Sequence, residues 1–155
     1  MSSIAEKFKM TLEADGLWAA MRWLNDRVPY RFTAIFAFEG DMLRSICLID
    51  KQNHDITKCS DQPITESYCL YVRRSGERFS VEEASLDRRV AGHPKRQNVQ
   101  CYYGIPLLFD SKGKMLGTVC HFDSMPVHVT EEVAIALDDL APLIADAAFS
   151  TCKGK

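Results

Sequence analysis

Apolar residues recur along this chain in two periods, and the switches between them mark out its elements. From Thr11 to Asn25, Leu12, Trp18, Met21 and Leu24 recur at helical spacing, with Ala14 and Leu17 widening the stripe. Asn25 and Pro29 close the predicted helix. The period then drops to two. Arg31 to Phe38 sets Phe32, Ala34, Phe36 and Phe38 on one face and Thr33, Ile35 and Ala37 on the other. Glu39-Gly40-Asp41 reads as a hairpin turn, and Met42 to Ile49 as the returning strand. Both strands are apolar on both faces, the pattern of a sheet covered on its two sides.

Asp50 to Gln62 is polar and rich in turn formers, and a short helix is predicted from Ile64 to Arg74, stopped by Ser75-Gly76. Arg78 to Glu82 reads as a short strand. Ser85 to Asn98 is a long polar loop, and long loops inside compact domains are more often functional than idle. A second apolar hairpin follows. Its strands run through Ile105–Phe109 and Met115–Phe122, with a turn at Asp110-Ser111-Lys112-Gly113. Thr130 then caps a final helix with Glu131 and Glu132 in its first turn. Val133, Ala136, Leu137, Leu140, Leu143, Ile144 and Ala147 stripe that helix, and Pro142 should kink it. This order predicts an α+β fold. A central antiparallel sheet of five to six strands has the terminal helices on one face and the middle segment over the other.

Composition narrows the class of function. At 155 residues the chain is one domain, with its core over about residues 12–149. Its 19 basic and 21 acidic residues leave a net charge of -2, which offers no footprint for nucleic acid or for an anionic membrane. No apolar run reaches membrane-spanning length, and Met1–Met10 lacks the apolar core of a signal peptide, so a cytoplasmic protein is expected. The six cysteines are scattered, with no C-x-x-C pair and no histidine at ligand spacing. They read as reduced thiols, with no metal and no cofactor expected.

Five short motifs then fall in a telling order: Ser67-Tyr68-Cys69, Asp87-Arg88-Arg89-Val90, Gly92-His93-Pro94, Tyr103-Gly104-Ile105-Pro106-Leu107 and Gly117-Thr118-Val119-Cys120-His121-Phe122-Asp123. Together they resemble the GAF domain, the small-molecule sensing module of many signalling proteins, from about Leu12 to Ile144. The resemblance implies a profilin-like sheet whose middle segment roofs a ligand pocket. Because the chain ends about where that domain does, a stand-alone sensor is expected, passing its signal to a separate protein.

Three chemistries of GAF relatives bear on particular residues. Bilin-binding relatives attach the chromophore through a Cys-His pair on a helix. Here Cys120-His121 falls inside a strand, where neighbours point to opposite faces, so only one can face a pocket. Relatives that reduce free methionine sulfoxide keep a cysteine near the position of Cys69, with Cys101 in a plausible region for a partner. Their further loop cysteine is missing from Ala91-Gly92-His93, so Cys69 is a weak catalytic candidate and the chain reads as a non-enzyme. The Asn-Lys dipeptide that accompanies cyclic-nucleotide binding occurs nowhere.

The ligand-binding candidates are Tyr68, Cys69, Tyr71, Phe79, Asp87, Arg88, His93 and Tyr103. Phenols combine apolar faces with a polar handle, and an arginine in the loop can grip a carboxylate or phosphate. The competing reading of the Arg88, Arg89, His93, Lys95 and Arg96 cluster is a solvated loop in which Asp87 pairs an arginine. Strand alternation allows Tyr102 or Tyr103, but not both, to line the pocket. Trp18 and Trp23 lie roughly 140° apart on a helical wheel, leaving one indole in need of cover. A homodimer with parallel packing of the terminal helices is expected to supply that cover. A ligand-free dimerisation scaffold is the remaining alternative.

Overall fold

The first helical stripe is built as two helices, α1 (Ile4–Asp15) and α2 (Leu17–Asn25), where a single helix from Thr11 was expected. Gly16 separates them with φ +95°, a conformation that a side-chain-bearing residue adopts only under strain. α1 begins upstream of the expected start, because Ser3 and Glu6 form a reciprocal capping box. The computed structural model describes residues 3–109 and 114–153. The turn expected at Asp110-Ser111-Lys112-Gly113 and the Cys152 thiol lie outside the described residues.

Six strands form one antiparallel sheet: β1 (Phe32–Glu39), β2 (Met42–Asp50), β3 (Gln62–Pro63), β4 (Phe79–Val81), β5 (Cys101–Phe109) and β6 (Lys114–Asp123). Their order is β3-β2-β1-β6-β5-β4, so the doubly apolar β1 and β6 are central, paired from Phe32–Phe122 to Ala37–Gly117. α4 (Glu131–Lys153) runs through Pro142, and its first turn is capped by the Thr130 hydroxyl, which accepts from Val133 N–H. One face of the sheet is sealed by α1, α2 and α4: Phe8, Met21, Leu24, Leu137, Leu140 and Ile144 pack on Ile35, Ile49, Leu107 and Val119. Burying these side chains supplies most of the stabilisation, at about 1.5–3 kcal/mol each.

The other face is roofed by the middle segment. The helix expected over Ile64–Arg74 is split into a 3-10 turn (Ile64–Glu66) and α3 (Cys69–Ser75), with Ser67 extended between them. The Ser67 hydroxyl accepts from Cys69 N–H, which fixes that break. The Ser85–Asn98 loop holds a 3-10 turn at Arg88–Val90, preceded by another at Ala84–Leu86, and hydrogen bonds tie it down. Arg96 Nε donates to Ala84 O over 2.9 Å, and Tyr68 OH donates to Val99 O over 3.0 Å. Among the described residues no helix is long and apolar enough to cross a membrane.

Candidate functional site

Between sheet and roof lies a cavity of about 270 Å³. Strand alternation aims Phe32 and Phe36 of β1, Leu48 of β2, Tyr102 of β5, and Cys120 and Phe122 of β6 into it. Gln62 of β3 adds to the sheet side, and the roof contributes Cys59, Ser67, Tyr68, Lys95 and Val99. A β-bulge between Ile35 and Phe36 sets the register of β2, placing Ser45 opposite Phe36. Ser45 then anchors the approaching chain: its N–H donates to Asp61 Oδ1 and its hydroxyl accepts from Cys59 N–H, both over 3.0 Å. Those two bonds fix Cys59 at the wall. Gly104 matters for a different reason. A Cβ there would stand 2.2 Å from the Tyr102 hydroxyl, so only glycine lets that phenol lie across the sheet.

The Tyr102 hydroxyl ends on Cys69 Sγ at 3.2 Å, and Thr118 Oγ1 is 3.2 Å from the same sulfur. Cys69 is fully buried beside Cys120, while Cys101 lies on the opposite face among Val28, Tyr30 and Val133. That placement corrects the expectation that Cys101 could partner Cys69. Burial pushes the Cys101 thiol up to about 12. Cys120 faces the cavity and His121 faces the helices, as the alternation requires.

The expected site residues do not gather in one place. Tyr68 lines the cavity, and Cys69 stands just behind its floor. Tyr71 and Phe79 stack on each other at 4.5 Å and line a separate surface groove with Arg74, Arg78 and Arg89. Asp87 and Arg88 lie in another shallow groove with Glu82 and Glu83, so Arg88 is not at the cavity mouth. Asp87 pairs Arg89 at 2.6 Å, and that guanidinium holds the Asp87 carboxyl below its ordinary value. The Asp87 carboxylate also accepts from the Arg89 backbone N–H, and the Arg89 guanidinium donates to Ser80 O, which is the loop-holding role of the competing reading.

Tyr103 is on the helix-covered face, its hydroxyl accepting from Arg78. The expectation that Tyr103 binds ligand is thus corrected: its neighbour Tyr102 is the tyrosine of β5 that lines the cavity. His93 is buried against Tyr68, with ring centres 4.7 Å apart. Its Nδ1 accepts from Lys95 N–H, so Nε2 carries the proton and donates to Ser67 O. Burial lowers the His93 pKa and keeps the ring neutral. It therefore braces the roof.

The sealed face has its own buried polar cluster. Asn25 Nδ2 donates to the Thr33 hydroxyl over 2.8 Å, and that hydroxyl is 2.8 Å from His121 Nδ1. The Thr33 hydroxyl thus joins the Asn25 amide to the His121 ring. Tyr30 stacks on the imidazole at 5.2 Å. Burial pushes the His121 pKa down to about 3.

Neither protein-family models nor the curated proteins give a match to this chain. Solved structures do. The GAF domain of an Acinetobacter phosphoenolpyruvate-protein phosphotransferase superposes with TM-score 0.76 at 13% identity, covering 100% of both chains. A free methionine-R-sulfoxide reductase from Neisseria meningitidis, solved with its substrate, gives 0.73 at 13% identity over 98% of this chain and 90% of that one. The phycocyanobilin-bound GAF domain of a cyanobacterial phytochrome gives 0.72 at 12% identity, over 97% and 94%. GAF domains and a free methionine-R-sulfoxide reductase thus share this architecture, and the chain has the GAF fold.

Proposed function

We propose that this chain is a sensory GAF domain that binds a small, largely apolar ligand carrying an anionic group. The observation behind this reading is the cavity itself. Rings from Phe32, Phe36, Tyr68, Tyr102 and Phe122 line it, and among the described residues Lys95 is the one cation in its wall. Apolar walls with few aimed polar groups are how small-molecule sites are built, and Lys95 suits a carboxylate. A volume of about 270 Å³ suits a single-ring metabolite better than an open-chain tetrapyrrole. Aromatic walls also disfavour free methionine sulfoxide, a zwitterion that needs a partner for each charge.

The signal leaves through the helices, and a homodimer is part of the proposal. Met10 on α1 and Ile135 on α4 are 66% and 52% exposed, apolar surface that a second copy would cover. Of the two indoles, Trp23 is not the one that needs a partner's cover. Phe8 packs against it at 6.4 Å and the Arg27 guanidinium lies 3.8 Å from its ring centre, so its cover comes from within the chain. Native mass spectrometry of protein purified from its own host tests both parts at once. The expected species is a dimer of 17.5 kDa chains carrying a retained molecule of a few hundred daltons or less. An empty protein that also fails to take up small aromatic carboxylates would overturn the ligand reading, and a monomer at tens of micromolar would overturn the dimer.

A further inference from the structure

Four residues of the cavity wall belong to one closed circuit of hydrogen bonds. The Tyr68 hydroxyl donates to Val99 O over 3.0 Å, and Val99 N–H donates to Lys95 O over 2.8 Å. Lys95 N–H in turn donates to His93 Nδ1 over 3.0 Å, and His93 Nε2 donates to Ser67 O over 3.1 Å. The Ser67–Tyr68 peptide closes the ring. Ser67, Tyr68, Lys95 and Val99 are among the described residues that line the cavity, and His93 is not. The imidazole is a clasp between the two halves of the roof, the turn before α3 on one side and the end of the long loop on the other.

His93 is also the member of this circuit whose side chain changes its proton near neutral pH. A backbone N–H only donates, so the bond from Lys95 lasts only while Nδ1 keeps its lone pair. Protonation places a second N–H at that position and sets two donors against each other. The bond to Ser67 O survives, since Nε2 donates in both states. Protonation therefore cuts the circuit at the bond that holds Lys95. The groups facing the ring do not offset that loss. Tyr68 and Tyr71, with ring centres at 4.7 and 5.6 Å, are phenols that burial keeps neutral, Tyr68 being pushed up to about 12. Asp87, Arg74 and Arg96 act on those two phenols with mixed signs. Lys95, on the same loop, repels an imidazolium. Burial of the ring opposes its charge more strongly than the Ser67 carbonyl favours it.

We propose that His93 is a positioning residue that links occupancy of the cavity to a proton: the neutral ring holds Lys95 and the roof over an anionic ligand, and protonation releases them. The ligand's charge rests on the reading of the cavity already proposed, whereas the clasp stands on the four hydrogen bonds alone. Linkage gives the sign. The His93 pKa lies below its ordinary value, so the clasp is complete above about pH 6.5 and is lost as pH falls through the lowered value. A ligand that needs the closed roof binds more weakly in acid. By reciprocity, its binding pushes the His93 pKa further down. Attraction of an anion to an imidazolium has the opposite sign.

The test follows the isotope-labelled, full-length chain by NMR from about pH 7.5 to about pH 5, a window in which a carboxylate probe stays ionised. Without ligand, the Lys95 and Val99 amides should lose exchange protection as the His93 ring titrates, while amides of β1 and β6 keep theirs. Benzoate is the probe for binding. Its affinity should fall by up to about tenfold per pH unit below the His93 pKa, and its presence should move the ring's titration to lower pH. His93→Asn keeps a carbonyl acceptor two residues before Lys95 N–H and cannot titrate, so it should flatten both profiles. The wild-type titration decides the matter even where that variant folds poorly. Lys95 protection that outlasts titration of the ring, or that falls together with the central sheet, would overturn the proposal. So would a ring still neutral at about pH 5, or a benzoate affinity that is flat or rises toward acid. Benzoate that binds at no pH overturns the ligand reading instead, and the amide profile still judges the clasp.

Discussion

The two faces of the sheet bury comparable numbers of side chains but close in different ways. On the helix-covered face, Ile, Leu and Val from the strands meet Leu137, Leu140 and Ile144 across a continuous aliphatic layer, and the polar cluster around His121 is enclosed. On the roofed face, rings from Tyr68, Phe79 and Tyr102 meet at centre distances of 5.7 to 6.4 Å, and a cavity remains beside Tyr68 and Tyr102. Flexible aliphatic chains fill the gaps between regular helices, whereas rigid rings held by an irregular roof do not. One face is built for stability and the other leaves space. The two should therefore respond differently to perturbation.

Acid gives the largest expected contrast. His121 is neutral in the native state with its pKa down at about 3, while the unfolded chain takes up that proton near pH 6.5. A depressed histidine contributes stability that is complete above pH 6.5 and is lost as pH falls. From this group alone, unfolding free energy should drop by on the order of 3 kcal/mol between pH 6.5 and 4.5, at about 1.4 kcal/mol per pH unit. His93 is shifted in the same direction and adds to the slope from the roofed face. Urea titrations across that window measure the sum. A His121→Gln variant should flatten most of the slope, and an unchanged slope would contradict the burial account.

Next comes a matched pair of truncations. Leu140 is fully enclosed among the helices, and Leu48 is part of the cavity wall. Leu140→Ala should cost about 3–4 kcal/mol, because a sealed layer cannot relax into the gap. Leu48→Ala should cost about half as much, since part of its surface already lacks packing partners. Equal losses in denaturant midpoint at constant slope would erase the distinction between the faces.

The smallest effect is the sharpest probe of the roofed face. Gly104→Ala places a methyl against the Tyr102 phenol, which must swing away from Cys69. About 1–2 kcal/mol of stability should be lost. The Cys69 thiol should lose a donor and titrate at higher pH, read by the ultraviolet absorbance of its thiolate.

Much of this architecture could be read from periodicity. The alternation of Phe32 to Phe38 assigns each residue its face, and adjacency alone puts Tyr102 and Tyr103 on opposite faces, though the expected site residue, Tyr103, is the one turned to the helices. Which tyrosine faces the cavity could not be read, because both neighbouring faces are apolar and alternation carries no sign. The Gly104 contact, which frees space for Tyr102, depends on a ring direction that spacing does not encode. Gly16 was hidden by the helical stripe passing across it, although Asp15-Gly16 is an ordinary helix-stop signal. Cys69 and Cys120 are 51 positions apart, and only the β1–β6–β5 pairing and the seat of α3 bring them together. The Arg88 expectation missed for a related reason: a charged loop shows its composition in sequence, but its direction is set by Asp87 and Arg89.

β6 is a partition one backbone thick between two unlike rooms. Cys120 and Phe122 face the cavity, and Val119 and His121, their immediate neighbours, face the helices. Whatever presses on that wall from one side is felt on the other without a tunnel or a chain of intermediaries, because both sets of side chains hang from the same peptide plane. A displacement of the β6 backbone by a molecule in the cavity would therefore also move the side chains on which the helices rest.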